Sequence, residues 1–145
     1  MTLQNTEARL CLMAAFALAM GTLVYVCARG APPQSGMLAM WLGSLPTLLH
    51  TAGFTLFSLA VVAPWPRLLP AVCAGWLVIE CAFETLQIPA IANAMHTSAL
   101  ASRSPLFHAY VNGTFDPMDL LAAVAGAVLA GTIAVVTRTR RAERP

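Results

Sequence analysis

Charged residues are what this sequence has least of. Only 10% of its 145 residues are charged, against about 25% in an ordinary soluble domain. Lysine is absent, so all 8 basic residues are arginines, and the formal net charge is only +2. A charge this small excludes the basic surface that a nucleic-acid-binding protein needs. Together with 59% hydrophobic residues and a mean hydropathy of +0.74, it predicts a multi-pass membrane protein.

The four cysteines follow no metal-binding or disulfide pattern. Cys11, Cys27, Cys73 and Cys81 all lie in apolar runs. Their spacing matches neither a disulfide framework nor a CxxC metal motif, so we expect thiols that pack between helices or face lipid. The sequence predicts no cofactor and no metal centre.

Four apolar runs are each long enough for a spanning helix, which needs about 20 mostly apolar residues. They extend from Leu10 to Ala28, from about Pro46 to Ala63, from Ala71 to about Ala92, and from Leu120 to Thr137. The turn-rich segment 29–36 and the proline-rich segment 64–70 separate the first three. We therefore predict one all-α domain over residues 1–145, an integral membrane bundle of four transmembrane helices.

The positions of the arginines predict the orientation of this bundle. Arg138, Arg140, Arg141 and Arg144 all follow the last span. Because arginine is enriched in cytoplasmic segments, the C-terminal tail should be cytoplasmic. Four spans then place the N-terminus and segment 64–70 on the same side, and leave only Arg29 and Arg103 outside. We predict an inner (plasma) membrane protein with both termini in the cytoplasm.

One stretch of the third apolar run, IECAFETLQ at residues 79–87, carries polar residues at helical spacing. Glu80, Glu84 and Gln87 share one helix face. A charge at mid-membrane costs about 2.5–3.5 kcal/mol, so this face should point into the bundle. With antiparallel helices, His50 near the start of the second helix and Asp119 at the start of the fourth should lie beside Glu84 and Gln87. Glu80 lies one turn deeper, where we expect it to be neutral or hydrogen-bonded.

Several of these residues also have a purely structural interpretation. The run Asp116-Pro117-x-Asp119 matches a helix start, with aspartate at the N-cap and proline at the first helical position. His50 and Glu80 can hydrogen-bond between helices without any further role. Glu84 together with Gln87 is the pair that most favours a functional site.

Two further patterns concern packing. Ala122, Gly126 and Ala130 recur every four residues, which predicts a close approach of another helix. Residues 93–118 form a long connection with apolar side chains such as Phe107. Connections longer than about 12–15 residues are usually functional or disordered, so we expect this one to cover the outer end of the bundle.

Three short motifs, LPTLLHTAGF, ECAFETLQ and GTFDPMDLLAAVAGAVLAG, occur in this order within residues 44–131. They resemble the VanZ-like family of small bacterial membrane proteins. The resemblance places the family's histidine, Glu-x-x-Gln and aspartate on His50, Glu84 with Gln87, and Asp119. The chain departs from the family at Ala123, where asparagine is common, and in the longer gap that follows the glutamine.

The resemblance implies a role in the bacterial envelope, linked through the family's founding member to teicoplanin resistance. On this basis we expect an outward-facing polar site that binds a membrane lipid or a lipid-linked cell-wall precursor. The family has an arginine shortly after the glutamine motif, and Arg103 is the arginine in that gap here. Gln87, Asp116 and Arg103 are therefore the candidate binding residues.

The alternative is an intramembrane enzyme. His50, Glu84 and Asp119 would then act as catalytic acid–base groups on a lipid-linked or phospholipid substrate. A variant of this alternative places a divalent metal ion on the same three side chains.

The predicted orientation can be tested by labelling. In a cysteine-free variant, single cysteines placed in the 93–118 connection should react with a membrane-impermeant maleimide on intact cells, because that segment should face outward. Cysteines placed in the C-terminal tail should react only after the cells are opened. Labelling of the tail on intact cells would contradict the orientation.

Overall fold

The computed structural model describes residues 3–30, 37–96, 103, 104, 107 and 113–142. Its helices are α1 (Leu3–Gly30), α2 (Met37–Val61), α3 (Leu69–Leu86), α4 (Pro89–His96) and α5 (Pro117–Ala142), with a short 3-10 helix at Pro66–Leu68. The described part of the chain contains no strand. Four of the helices, all but α4, are long and apolar enough to cross a membrane. The predicted all-α class with four spans is therefore confirmed.

The second helix, α2, is the centre of the bundle. α1 and α5 pack along it, α3 packs against α5 and α2, and α1 scarcely contacts α5. Half of the apolar window of α2 is buried, whereas only 6% of the α3 window is. The apolar core lies where α1 begins and α2 and α5 end, and its fully buried members include Leu10, Leu59 and Ala134.

Proline sets the end of α3. The prediction of one helix from Ala71 to about Ala92 is wrong at its C-terminal end, because α3 stops at Leu86 and α4 starts at Pro89. Proline has no N–H to continue the helix, and it disfavours helical geometry in the preceding residue. The Ile88 N–H bonds the Thr85 carbonyl at 3.2 Å, which closes a tighter turn between the two helices.

The start of α2 also differs from the prediction. The helix begins at Met37, and Pro46 lies inside it. Within a membrane, neighbouring helices tolerate the one backbone hydrogen bond that an internal proline removes. His50 is therefore about 20 Å along the helix from Met37, close to the middle of the span Met40–Val61. The expected position near the outer end of the helix is wrong.

Small residues let α5 approach α2 closely, as the four-residue spacing predicts. Ala122, Gly126 and Ala130 are all buried. A Cβ atom on Gly126 would lie 2.5 Å from the backbone oxygen of Leu48, which is too close for any residue but glycine. The predicted close approach is therefore confirmed, and its partner is α2.

A polar contact and a ring stack join α3 to α2. The Trp76 Nε1–H donates to Ser58 Oγ at 2.9 Å. The same indole stacks on Phe54, with ring centroids 4.9 Å apart. Because so little of α3 is buried, these contacts at mid-helix are the main specific attachment to α2 among the described residues.

The four cysteines are free thiols. Cys11 and Cys73 are half-buried and pack against the apolar core, while Cys27 and Cys81 are exposed on the outer faces of their helices. This is the expected arrangement of packing and lipid-facing residues.

The contact at Gly126 predicts a large difference between two similar substitutions. Gly126→Ala should lower the free energy of unfolding by about 1–3 kcal/mol, because the new methyl group meets backbone that cannot yield. Gly75→Ala is the matched control, since a Cβ there meets nothing within 4 Å, and it should be neutral or stabilising by up to about 1 kcal/mol. Unfolding by sodium dodecyl sulfate in mixed micelles measures both. Equal stability of the two variants would contradict the close approach.

Candidate binding site at one end of the bundle

Two acidic residues meet where α3 ends and α5 begins. Glu84 lies in the last turn of α3, and Asp119 in the first turn of α5. Glu84 is only 7% exposed and is the one buried residue of α3. The strongest electrostatic neighbour of its carboxylate is Asp119, followed by Glu80 and Asp116. The end of the bundle therefore gathers acidic side chains, and Glu84 among them is scarcely reached by water.

The start of α5 is built around Asp116. Its Oδ1 accepts a hydrogen bond from the Met118 N–H at 2.9 Å, and Pro117 is the first helical residue. Asp116 is thus the N-cap, and the structural interpretation of this run is confirmed. The backbone N–H of Asp116 also faces the Glu84 carboxylate. Glu84 therefore lies at the positive end of the α5 dipole, which favours a carboxylate.

The facing wall of the site comes from α2 and consists of hydroxyl groups. Ser44 and Thr47 face the Asp119 carboxylate, and Thr51 faces Glu80 one turn deeper. Ser44, Thr51 and Thr55 lie on one ridge of α2 and are 0–2% exposed. The sequence reasoning did not assign them, although serine and threonine at positions 44, 47, 51 and 55 follow helical spacing in an apolar helix.

Several polar atoms in this site have no hydrogen-bond partner. Among the described residues, Ser44 Oγ, Thr51 Oγ1, Glu84 Oε2 and Asp119 Oδ1 are buried and make no hydrogen bond of good geometry. The hydroxyl and carboxylate groups therefore face each other without a hydrogen bond of good geometry. Leaving a buried polar group unsatisfied costs about 1–3 kcal/mol, and more if it is charged, so this region is unfavourable unless something fills it.

Threonines elsewhere in the bundle behave differently. The hydroxyls of Thr22, Thr85 and Thr132 each donate to the carbonyl four residues earlier in their own helix, at 2.6–2.9 Å. This is the usual way in which a threonine hydroxyl finds a hydrogen-bond acceptor in an apolar helix. Thr51 and Thr55 lack that bond. Their hydroxyls are directed between the helices instead.

His50 lies on another side of α2. Its Nε2 is 3.4 Å from Thr22 Oγ1 of α1, and its ring leaves little space above Gly21. It is near the middle of its span, whereas Glu84 is about 12 Å beyond the middle of the span Pro66–Leu86. The structure brings Glu84 and Asp119 together, and it places His50 against α1.

Two candidate binding residues remain, Gln87 and Arg103. Gln87 is the C-cap of α3, and its N–H bonds the Glu84 carbonyl at 3.0 Å. Arg103 is exposed. Half of the 93–118 connection lies outside the described residues, and so does the predicted cover over the site. Within the described part, the Phe107 N–H donates to Ser104 Oγ at 3.2 Å.

The described residues contain no group of three or more histidine, cysteine, aspartate or glutamate side chains that could hold a metal ion. His50, Glu84 and Asp119 in particular do not converge on one point. The arrangement instead suits a ligand that offers hydrogen-bond donors and positive charge.

The fold and the site define a four-span membrane protein. At one end of the bundle it has a buried acidic site, formed by Glu84 and Asp119 and faced by the hydroxyls of Ser44 and Thr47. No family model matches this chain, and neither a curated protein nor a solved structure matches it.

The capping role of Asp116 can be separated from its charge. Asp116→Ala should lower the free energy of unfolding by about 1 kcal/mol, because the Met118 N–H loses its acceptor. Asp116→Asn should leave stability within error, since asparagine caps a helix as well as aspartate does. Detergent-based unfolding of both variants measures this. If the asparagine variant is destabilised as much as the alanine variant, then the charge of Asp116 matters more than the cap.

Proposed function

We propose that this chain is a multi-pass protein of the bacterial plasma membrane whose acidic site binds the protonated amine of a lipid headgroup or of a lipid-linked cell-wall precursor. The observation that carries this proposal is the pair of buried carboxylate oxygens, Glu84 Oε2 and Asp119 Oδ1. They lie in one site, and each is buried and makes no hydrogen bond of good geometry within the described part of the chain.

A primary ammonium group fits the chemistry of this site. It is compact, carries one positive charge, and has three N–H donors, which is enough for Glu84, Asp119 and the Ser44 hydroxyl together. Hydrogen bonds to charged groups contribute about 1.5–3 kcal/mol each. A quaternary ammonium has no N–H to donate, and a phosphate would be repelled by the two carboxylates.

The depth of the site matches a lipid headgroup. Ser44, Glu84 and Asp119 lie about 10–14 Å from the middle of their spans. The hydrocarbon core of a bilayer is about 30 Å thick, so its edge is about 15 Å from the midplane. An amine at the inner edge of the headgroup layer can therefore reach these residues while its lipid tails stay in the membrane.

The side of the membrane and the biological setting are part of the proposal. The arginine distribution supports an orientation in which both termini are cytoplasmic and the acidic site faces outward. The likeness of three motifs to the VanZ-like family supports a role in the bacterial envelope that affects teicoplanin susceptibility. The orientation and the envelope role do not depend on which ligand the site binds, and each has its own test.

Binding is favoured over acid–base catalysis for a geometric reason. The enzyme alternative needs His50 as a proton-transfer partner of Glu84 or Asp119, within hydrogen-bond reach of the same substrate. His50 contacts Thr22 on α1 and lies near the middle of its span. The two acids, in contrast, share one site, and in the described part of the chain each has a buried oxygen without a hydrogen bond.

The test compares two glutamate variants in nanodiscs that contain phosphatidylethanolamine or phosphatidylcholine. Native mass spectrometry should show that the wild-type chain retains phosphatidylethanolamine preferentially. Glu84→Gln should reduce this preference about tenfold or more, because it removes a charged acceptor. Glu80→Gln is the matched control, and its effect should be less than about threefold, because Glu80 lies one turn deeper than the unpaired oxygens of Glu84 and Asp119.

Equal retention of the two lipids by the wild-type chain would contradict an amine site, and so would full retention by Glu84→Gln.

The same variants test the envelope role. Expressed in a teicoplanin-susceptible bacterium, the wild type and Glu80→Gln should raise the inhibitory concentration, whereas Glu84→Gln should not.

A further inference from the structure

A second feature lies at the opposite end of the bundle from the acidic site. Where α3 begins and α5 ends, the two helices leave a groove of about 380 Å³ between them. This volume falls within the range of about 300–1,000 Å³ that is usual for small-molecule sites. Its walls include Leu69, Cys73 and Leu77 on α3 and Ala127, Gly131 and Val135 on α5.

The walls of this groove accept hydrocarbon and offer nothing to a polar group. The one hydroxyl that lines it, on Thr132, is already bonded to the Val128 carbonyl at 2.8 Å. Gly131 keeps the groove open, because it places no side chain opposite the Cys73 sulfur. From Ala127 to Val135 the groove runs about 12 Å along α5, close to the roughly 15 Å of hydrocarbon in one leaflet.

Two arginines lie at the end of the groove that is farther from the acidic site. Arg138 continues the ridge of Ala127, Gly131 and Val135 along α5. It is half-buried, and its Nη2 atom is buried without a hydrogen-bond partner in the described part of the chain. On the other wall, Arg67 is exposed two residues before Leu69, where α3 begins.

We propose that this groove and its two arginines form a binding site for an anionic phospholipid. One acyl chain lies between α3 and α5, and the phosphate accepts hydrogen bonds from Arg138, with Arg67 adding charge from the α3 side. A guanidinium presents paired donors that match phosphate oxygens. An acyl chain fills the apolar walls, and the phosphate supplies the acceptor that the buried Nη2 atom lacks.

Charge argues against a second copy of this chain as the occupant. A copy inserted in the same orientation would bring its own Arg138 to the same level of the membrane. Like charges in contact are repulsive. An anionic lipid brings the complementary charge to that level.

The experiment uses the full chain in phosphatidylcholine nanodiscs with and without phosphatidylglycerol. Native mass spectrometry measures which lipid is retained, and a melting experiment measures the thermal stability of the protein. The wild type should retain phosphatidylglycerol preferentially and be stabilised by it. Arg138→Gln should reduce that preference about tenfold. Arg9→Gln is the matched control, because Arg9 is an exposed arginine near the start of α1 and lies at the same end of the bundle as the C-terminal end of α5. This variant should keep the wild-type preference for phosphatidylglycerol.

The acyl-chain part of the proposal has its own variants. Gly131→Leu and Thr132→Phe should both lower phosphatidylglycerol retention, because they fill the groove; Thr132 is exposed, so its replacement leaves the core intact. Equal losses in Arg138→Gln and Arg9→Gln would show diffuse attraction by arginines and overturn the site. A loss of thermal stability in Arg138→Gln that is equal with and without phosphatidylglycerol would also overturn the site, because Arg138 would then be pairing with the protein. Full retention by folded Thr132→Phe would overturn the groove as the acyl-chain site.

Discussion

The contact between Gly126 of α5 and the backbone of α2 is the constraint on which the rest of the bundle depends. With no side chain at Gly126, α5 lies directly against the Leu48 carbonyl. This approach sets the level at which α5 begins, and so it brings Asp119 opposite Ser44 and Thr47. The start of α5 in turn places the Asp116 N–H opposite Glu84. A wider separation of α5 from α2 would open the acidic site to lipid.

The two halves of the bundle are stabilised in different ways. One half has an apolar core of close-packed leucine and alanine side chains. The other half contains hydroxyl and carboxylate atoms that lack partners among the described residues. Since helices in a bilayer gain little from apolar burial alone, close packing and polar contacts decide their association. The well-packed half therefore holds the helices in place while the polar half keeps its hydrogen-bonding capacity for a ligand.

The number of spans and the proximity of Glu84 to Asp119 could be predicted from the sequence. Long apolar runs identify spanning helices, and antiparallel order places the end of one beside the start of another. The position of His50 could not be predicted, because a proline inside a membrane helix leaves no local sign that the helix continues through it. The roles of Ser44 and Thr51 also could not be predicted, since a threonine hydroxyl bonds to its own helix as readily as it points between helices.

The attachment of α3 has a mechanical consequence. Trp76, which joins this helix to Ser58 and Phe54, lies midway between Leu69 at one end and Glu84 at the other. A rigid rod held at its centre behaves as a lever. Any tilt of α3 that draws Glu84 away from α5 must press Leu69 toward it. Occupancy at one membrane surface would thereby be felt at the other, with no change in the packing of α1, α2 and α5.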